Sequence, residues 1–202
     1  MTMGEKIPSW LDEGFLASAL QGGPDKQPNV SILSFKVMPS GGFEGFSSEI
    51  FRLQVNYRMG DSTQEQSKSL FIKVPDASGL VHSAMGSIVA EKEFLCYRDL
   101  LPIMMKKVNC DFAPTSFYSI VDKVIIMENL KPDYQCADKN ELLDFAHCKL
   151  VVATLAKFHA STVALYGEHA QLIRFVGQEC FFPEGGALRE WVELGTRILG
   201  EE

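Results

Sequence analysis

Lys73 lies in the run Ser69-Leu70-Phe71-Ile72-Lys73-Val74-Pro75. Read as a strand, this run puts Phe71 and Lys73 on one face and Leu70, Ile72 and Val74 on the other. An ammonium at the inner end of an apolar strand has a use if an anion sits beside it. Phe71 could roof a planar base while Lys73 meets its phosphates. A lysine that protects a sheet edge from aggregation fits the same strand as well. Downstream, a helical stretch carries Glu91 and Glu93. Steps of three and four place Ala90, Glu93, Tyr97 and Leu101 on one side of it. That side should pack on the sheet, so Glu93 is positioned to hold the Lys73 ammonium and Glu91 is solvated. The plainer alternative makes both glutamates part of a charged surface.

Two further segments could complete a nucleotide site. In Gly41-Gly42-Phe43-Glu44-Gly45-Phe46-Ser47-Ser48 the glycines let backbone N–H groups approach phosphate oxygens, and Ser47 or Ser48 adds a donor. The segment matches neither Gly-x-Gly-x-x-Gly nor the Walker pattern, and a plain hairpin turn explains it equally well. Val124 to Leu130 is an apolar strand running into Glu128-Asn129-Leu130. Met127 would sit at the back of a pocket, with the Glu128 C=O and Leu130 N–H facing the edge of the base. Glycine turn, strand lysine, helix glutamate and Met-Glu strand follow the order of the parts that hold ATP in a kinase small lobe. His159 reads as a packed helix residue, and His82, His147 and His169 lack metal-ligand spacing, so no metal site is expected.

The elements that must position these groups follow from periodicity. Trp10, Leu11, Phe15, Leu16 and Leu20 share one side of a short helix that Gly22-Gly23-Pro24 stops. Val30 to Met38 and the alternating Phe51, Leu53, Val55 and Tyr57 read as strands. A polar loop from Gly60 to Lys68 should then lead into the Lys73 strand, giving three successive antiparallel strands. Ser83 or Ser87 could cap the Glu93 helix, which is expected to reach about Leu100 and end at Pro102. Phe117 to Tyr118 and Val124 to Met127 predict two more strands around a Val121-Asp122-Lys123 turn. Asp138-x-x-Glu141 looks like a capping box for a long helix along which Leu143, Leu150, Thr154, Phe158 and Leu165 recur. A final amphipathic stretch runs from Ala187 to Leu199. The loop Lys131 to Asn140 divides an α+β part from a helical part.

Composition narrows the partners. With 46% hydrophobic and 22% charged residues the chain can bury a core. A net charge of −7 argues against nucleic acid or an anionic membrane. The five cysteines form no Cys-x-x-Cys pair, which suits free thiols in a reducing cytoplasm. No secretory leader or uninterrupted membrane-length apolar run is apparent, so a cytoplasmic protein is expected.

Six short segments, in order, resemble the insect ecdysteroid-kinase-like family, also called CHK kinase-like, relatives of choline and aminoglycoside kinases. They are Pro8-Ser-Trp-Leu11, Ser48 to Tyr57, Ser69 to Val74, Glu93 to Tyr97 with Leu101-Pro102, Ile126-Met-Glu-Asn-Leu130, and Leu155-Ala-Lys-Phe-His-Ala-Ser161. Asn129 stands where the family usually has aspartate. The resemblance implies an α+β fold. A protein-kinase-like small lobe of antiparallel sheet plus one helix would occupy residues 1–130. The hinge and a truncated helical start of the large lobe would occupy 131–202. It implies ATP as phosphoryl donor, Mg²⁺ in complete members, and a small hydrophobic, often steroid-like alcohol as acceptor. Lys73, Glu93, Ser47, Ser48, Phe71, Met127, Glu128 and Leu130 are then the candidate nucleotide-binding residues.

Family members continue to a His-Gly-Asp loop, a downstream Asn and an Asp-Phe-Gln metal site. Phosphoryl transfer needs those carboxylates to orient the acceptor and hold Mg²⁺. No aspartate follows Asp144 here and no asparagine follows Asn140. The expectation is therefore a kinase-like chain that stops before its catalytic half and is inactive alone. A non-catalytic nucleotide-binding or dimerising module is the alternative, with apolar surface exposed at Leu150, Phe158 and Leu165.

Overall fold

The computed structural model describes residues 7–38, 48–76, 88–138, 140–180, 182, 184 and 186–199. Ser83, Ser87 and most of the glycine-rich turn lie outside them. The chain forms an α+β structure of two compact units, each drawn from separate stretches. One unit gathers residues 1–44, 50–74 and 113–148; the other gathers 45–49, 75–112 and 149–202.

The first unit is built on a five-stranded sheet. Its strands are β1 (Val30–Met38), β2 (Ser48–Met59), β3 (Gln66–Pro75), β4 (Ser116–Phe117) and β5 (Ile125–Glu128). Their spatial order is β1-β2-β3-β5-β4, and the β1/β2, β3/β5 and β4/β5 pairs are antiparallel. β3 begins at Gln66, so the hairpin loop is shorter than Gly60 to Lys68 and Lys68 belongs to the strand. Helix α1 (Glu13–Gln21) supplies the covering layer. Asp12 caps it by accepting from the Phe15 N–H at 2.8 Å. Gly22, at φ 82°, ends it in the left-handed conformation that glycine adopts without a Cβ penalty. Leu11, Phe15, Leu16 and Ala19 pack on Phe51, Leu53, Val55, Leu70, Ile72 and Ile126. One face of the sheet is thus committed to the core.

The second unit is helical. α2 (Ile88–Leu95) runs through a π-helical turn (Cys96–Leu100) into α3 (Leu101–Val108). The helix therefore does not end at Pro102. That proline sits in the first turn of α3, where a missing N–H costs nothing. The wider turn before it absorbs the change of phase. Lys92, Cys96, Leu100 and Met104 recur every fourth residue. Leu100 and Met104 are buried with Leu165 of α4 (Phe145–Gly177), joined by the partly buried Cys96, Ile103, Phe112, Phe158, Leu172, Ile173 and Val176.

Three expectations about α4 need correction. Its cap is Asp144, whose carboxylate accepts from the His147 N–H at 2.8 Å. Asp138 instead closes a local turn by accepting from the Asn140 N–H. Leu165 is only 4% exposed and Phe158 is half-buried, whereas Leu150 is 67% exposed. His159 is exposed, edge-on to Phe158, rather than packed. By length and composition α4 could cross a membrane, with a mean hydropathy of 1.3 over its most apolar window. α5 (Ala187–Leu199) ends the described chain.

Candidate functional site

The candidate site is the sheet face turned away from α1. Ile72 and Leu70 are in the core, so alternation turns Phe71 and Lys73 to the opposite side. Antiparallel register places Met127 opposite Phe71 and Ile125 opposite Lys73. Directly opposed residues share a face. Ile125 and Met127 are buried there, and Lys73 and Phe71 are half-buried. The same rule turns Arg52 outward between the core residues Phe51 and Leu53. Its guanidinium lies over the Phe71 ring, 4.8 Å from the centroid. Met38 pairs with Arg52 and Lys36 with Gln54, adding another cation to this face.

The other end of the face is polar and knitted together. Gln54 Nε2 donates to Ser67 Oγ at 2.7 Å, Ser67 Oγ donates to Asn56 Oδ1 at 2.6 Å, and Asn56 Nδ2 donates to Ser34 Oγ at 3.1 Å. The face is therefore graded, from a hydroxyl–amide network to cations set among Phe71, Met127 and Ile125. Apolar surface beside cations suits a flat ring carrying negative charge.

The end of β5 is fixed from both sides. Glu128 N–H donates to Thr115 C=O at 2.9 Å, and Asn129 N–H donates to Ser69 C=O at 3.0 Å. In an extended strand a residue's N–H and C=O point to the same edge, so the Glu128 C=O is turned toward the β4 edge. Its side chain lies on the α1 face and pairs with Lys68, which also approaches the Phe117 ring. The Lys68 hydrogen bond holds the Glu128 carboxyl below the usual carboxylate range. Asn129 Nδ2 donates to Ser69 Oγ at 3.0 Å, and its Oδ1 accepts from the Lys131 N–H at 3.3 Å. An aspartate there could accept but not donate. Leu130 C=O accepts from the Tyr134 N–H at 3.0 Å.

Glu93 lies on α2 in the helical unit and is half-buried. Burial, and then the Glu93 charge, push the Cys96 thiol and the Tyr97 hydroxyl above their ordinary pKa values. Its carboxylate therefore acts on the Cys96–Tyr97 turn. Ser48 opens β2 and is half-buried, while Ser47 lies outside the described residues. Among the described residues no three His, Cys, Asp or Glu side chains gather as a metal site.

Two residues with evident roles were not singled out from sequence. Arg52 read only as the polar alternate of a half-buried strand. Its seat on Phe71 depends on cross-strand placement that no local pattern gives. Lys92 is 8% exposed, donates to the Gln178 C=O and lies 5.8 Å from the Phe175 ring. Its place in the 92–96–100–104 stripe was the available signal.

No curated protein and no solved structure matches the chain. A family model does, that of the Ecdysteroid kinase-like family, over residues 42–188. The match includes the strands bearing Arg52, Lys73 and Met127, the helix of Glu93 and the whole of α4. Spanning well over half of the sequence, it shows that the chain belongs to the ecdysteroid kinase-like family.

Proposed function

We propose that this chain binds ATP on the Lys73 face of its sheet. The supporting observation is the outward turn of Lys73 beside Phe71, in register with the strand that ends Met127-Glu128. In this reading Lys73 meets the α/β-phosphates and Glu93 holds its ammonium. Ser47 and Ser48 add donors, Phe71 and Met127 line the pocket, and the Glu128 C=O and Leu130 N–H meet the base edge. Residues 1–130 then act as a kinase-like small lobe, and 131–202 as the hinge and start of a large one. In complete family members ATP would supply a phosphoryl group and Mg²⁺ would screen its charge. The acceptor in complete members would be a small hydrophobic, steroid-like alcohol, and the compartment in this reading is the cytoplasm. Nucleic acid and membrane are not partners in this reading. Residues 1–202 contain no Asp after 144 and no Asn after 140 to perform the transfer, so by themselves they bind without phosphorylating.

Melting the protein with and without Mg-ATP tests this. Ligand at a hundred times its Kd stabilises by about 2.7 kcal/mol, a shift of several degrees. Lys73→Ala, losing a charge-assisted contact worth about 1.5–3 kcal/mol, should remove most of that shift. An unshifted wild-type protein at millimolar Mg-ATP contradicts the proposal.

A second reading, a self-associating module, draws support from the first half of α4. Leu150, Val151, Val152 and Leu155 are all exposed there. Elution as a monomer at high concentration would set it aside.

A further inference from the structure

We propose, on the nucleotide reading above, that Ser69 donates its hydroxyl proton to an acceptor atom at the edge of the base. Asn129 is the positioning residue that keeps this proton available. Ser69 shares the outward face of β3 with Phe71 and Lys73, because the intervening Leu70 and Ile72 are in the core. Each step of two residues along a strand covers about 6.5–7 Å. Phe71 therefore has Lys73 on one side and Ser69 on the other, toward the strand end that carries Glu128 and Leu130. The Asn129 N–H donates to the Ser69 C=O at 3.0 Å, which carries the β3/β5 pairing one residue past Leu70 and Glu128. Asn129 Nδ2 donates to Ser69 Oγ, also at 3.0 Å, so the two side chains meet on that face. Among the described residues the Ser69 hydroxyl makes that one bond.

The direction of that bond decides what Ser69 shows to a ligand. The Lys131 N–H can only donate, so the Asn129 atom facing it at 3.3 Å is the carbonyl oxygen. The atom facing Ser69 is then the amide nitrogen, which donates and does not accept. Ser69 Oγ receives that bond through a lone pair, and its own O–H is turned elsewhere. Ser69 is half-buried, which leaves the proton within reach of a bound molecule. A carboxylate at position 129 inverts this arrangement. One of its oxygens still takes the Lys131 N–H, but the other can only accept, so the Ser69 O–H swings onto it. Ser69 then presents lone pairs to the face in place of a proton. A ring nitrogen or carbonyl oxygen of a flat base gains from the first arrangement and is repelled by the second. A bare phosphate chain, held at the Lys73 end, gains from neither.

The experiment is equilibrium titration of wild type, Ser69→Ala, Ser69→Thr, Asn129→Asp and the Ser69→Ala/Asn129→Asp double variant with Mg-ATP and with Mg-tripolyphosphate. The readout is the ratio of the two affinities, in which the added charge of Asn129→Asp largely cancels because both ligands carry a triphosphate. Ser69→Ala should lower the ratio about two- to tenfold, the worth of one hydrogen bond. Asn129→Asp should lower it at least as far, and Ser69→Thr, which keeps the hydroxyl, should hold it near wild type. The double variant has no hydroxyl left to turn, so Asn129→Asp should add nothing to Ser69→Ala. An unchanged ratio in Ser69→Ala overturns the role of the hydroxyl while ATP binding itself stands. Additive losses in the double variant overturn the role of Asn129. Equal affinities of wild type for the two ligands mean that no base edge is read on this face, and the proposal falls. Should wild type bind neither, the nucleotide reading fails and this inference with it. If circular dichroism finds Asn129→Asp unfolded, Ser69→Ala against Ser69→Thr decides: equal ratios in those two variants overturn the proposal.

Discussion

Replacing Phe51 by alanine is expected to destabilise the sheet unit by about 3–5 kcal/mol. Phe51 is 1% exposed at the centre of the layer between α1 and the sheet, against Leu53, Leu70 and Ile72. Truncation removes most of a ring's buried area and leaves a cavity that rigid strands cannot close. A loss of that size is a large share of the 5–15 kcal/mol typical of a domain, so the variant should sit near its unfolding threshold. Trp10 provides the readout, since its ring packs edge-on against Phe15 at 4.9 Å beside this core. Trp191, the second tryptophan, is 71% exposed in the helical unit and can be replaced by phenylalanine to clear the signal. Urea unfolding followed by Trp10 fluorescence should move to a lower midpoint with little change in slope. A midpoint unchanged from wild type would remove Phe51 from the core.

The second large effect separates two leucines on one helix. Leu165→Ala should cost the helical unit about 2–5 kcal/mol, because Leu165 is buried against Leu100 and Met104. Leu150→Ala, at a position 67% exposed, should stay within about 0.5 kcal/mol. Thermal melts of the two variants, read by far-ultraviolet circular dichroism, check this directly. Equal losses would mean that Leu150 is covered in solution, which points to self-association. Val163, 77% exposed, provides a further surface control on the same helix.

The same two leucines explain how far the sequence could be read. Both fall on one apolar stripe, and periodicity marks a stripe without saying which part of it a partner covers. The core beneath α3 takes in Phe158 and Leu165 and stops there. The sheet was more legible. Strict alternation around Arg52 and Gln54 and the β-branched runs of β3 and β5 give both strand positions and facing, because a one-residue slip would invert every side chain. Helix α1 was legible through Gly22, which only a turn at positive φ demands. Pro102 misled because proline stops a helix interior but is tolerated in a first turn, and the π-helical turn creates that first turn in mid-run. Asp138 and Asp144 both offer a carboxylate ahead of α4. Local pattern favoured the capping box, while the helix starts at Phe145. For the site, Lys73 was visible from its own strand. The seat of Arg52 on Phe71 was not, since it depends on how two residues nineteen apart in sequence, on neighbouring strands, lie together.

The central claim is that nucleotide binds the sheet face bearing Lys73. Amide hydrogen exchange with and without Mg-ATP tests it most directly, because local protection reports which elements a ligand steadies. Added protection is predicted in segments 50–54, 69–75 and 124–131, with α1 unchanged, and it should disappear in Lys73→Ala. Protection confined to other segments, or the same pattern in wild type and Lys73→Ala, would contradict it.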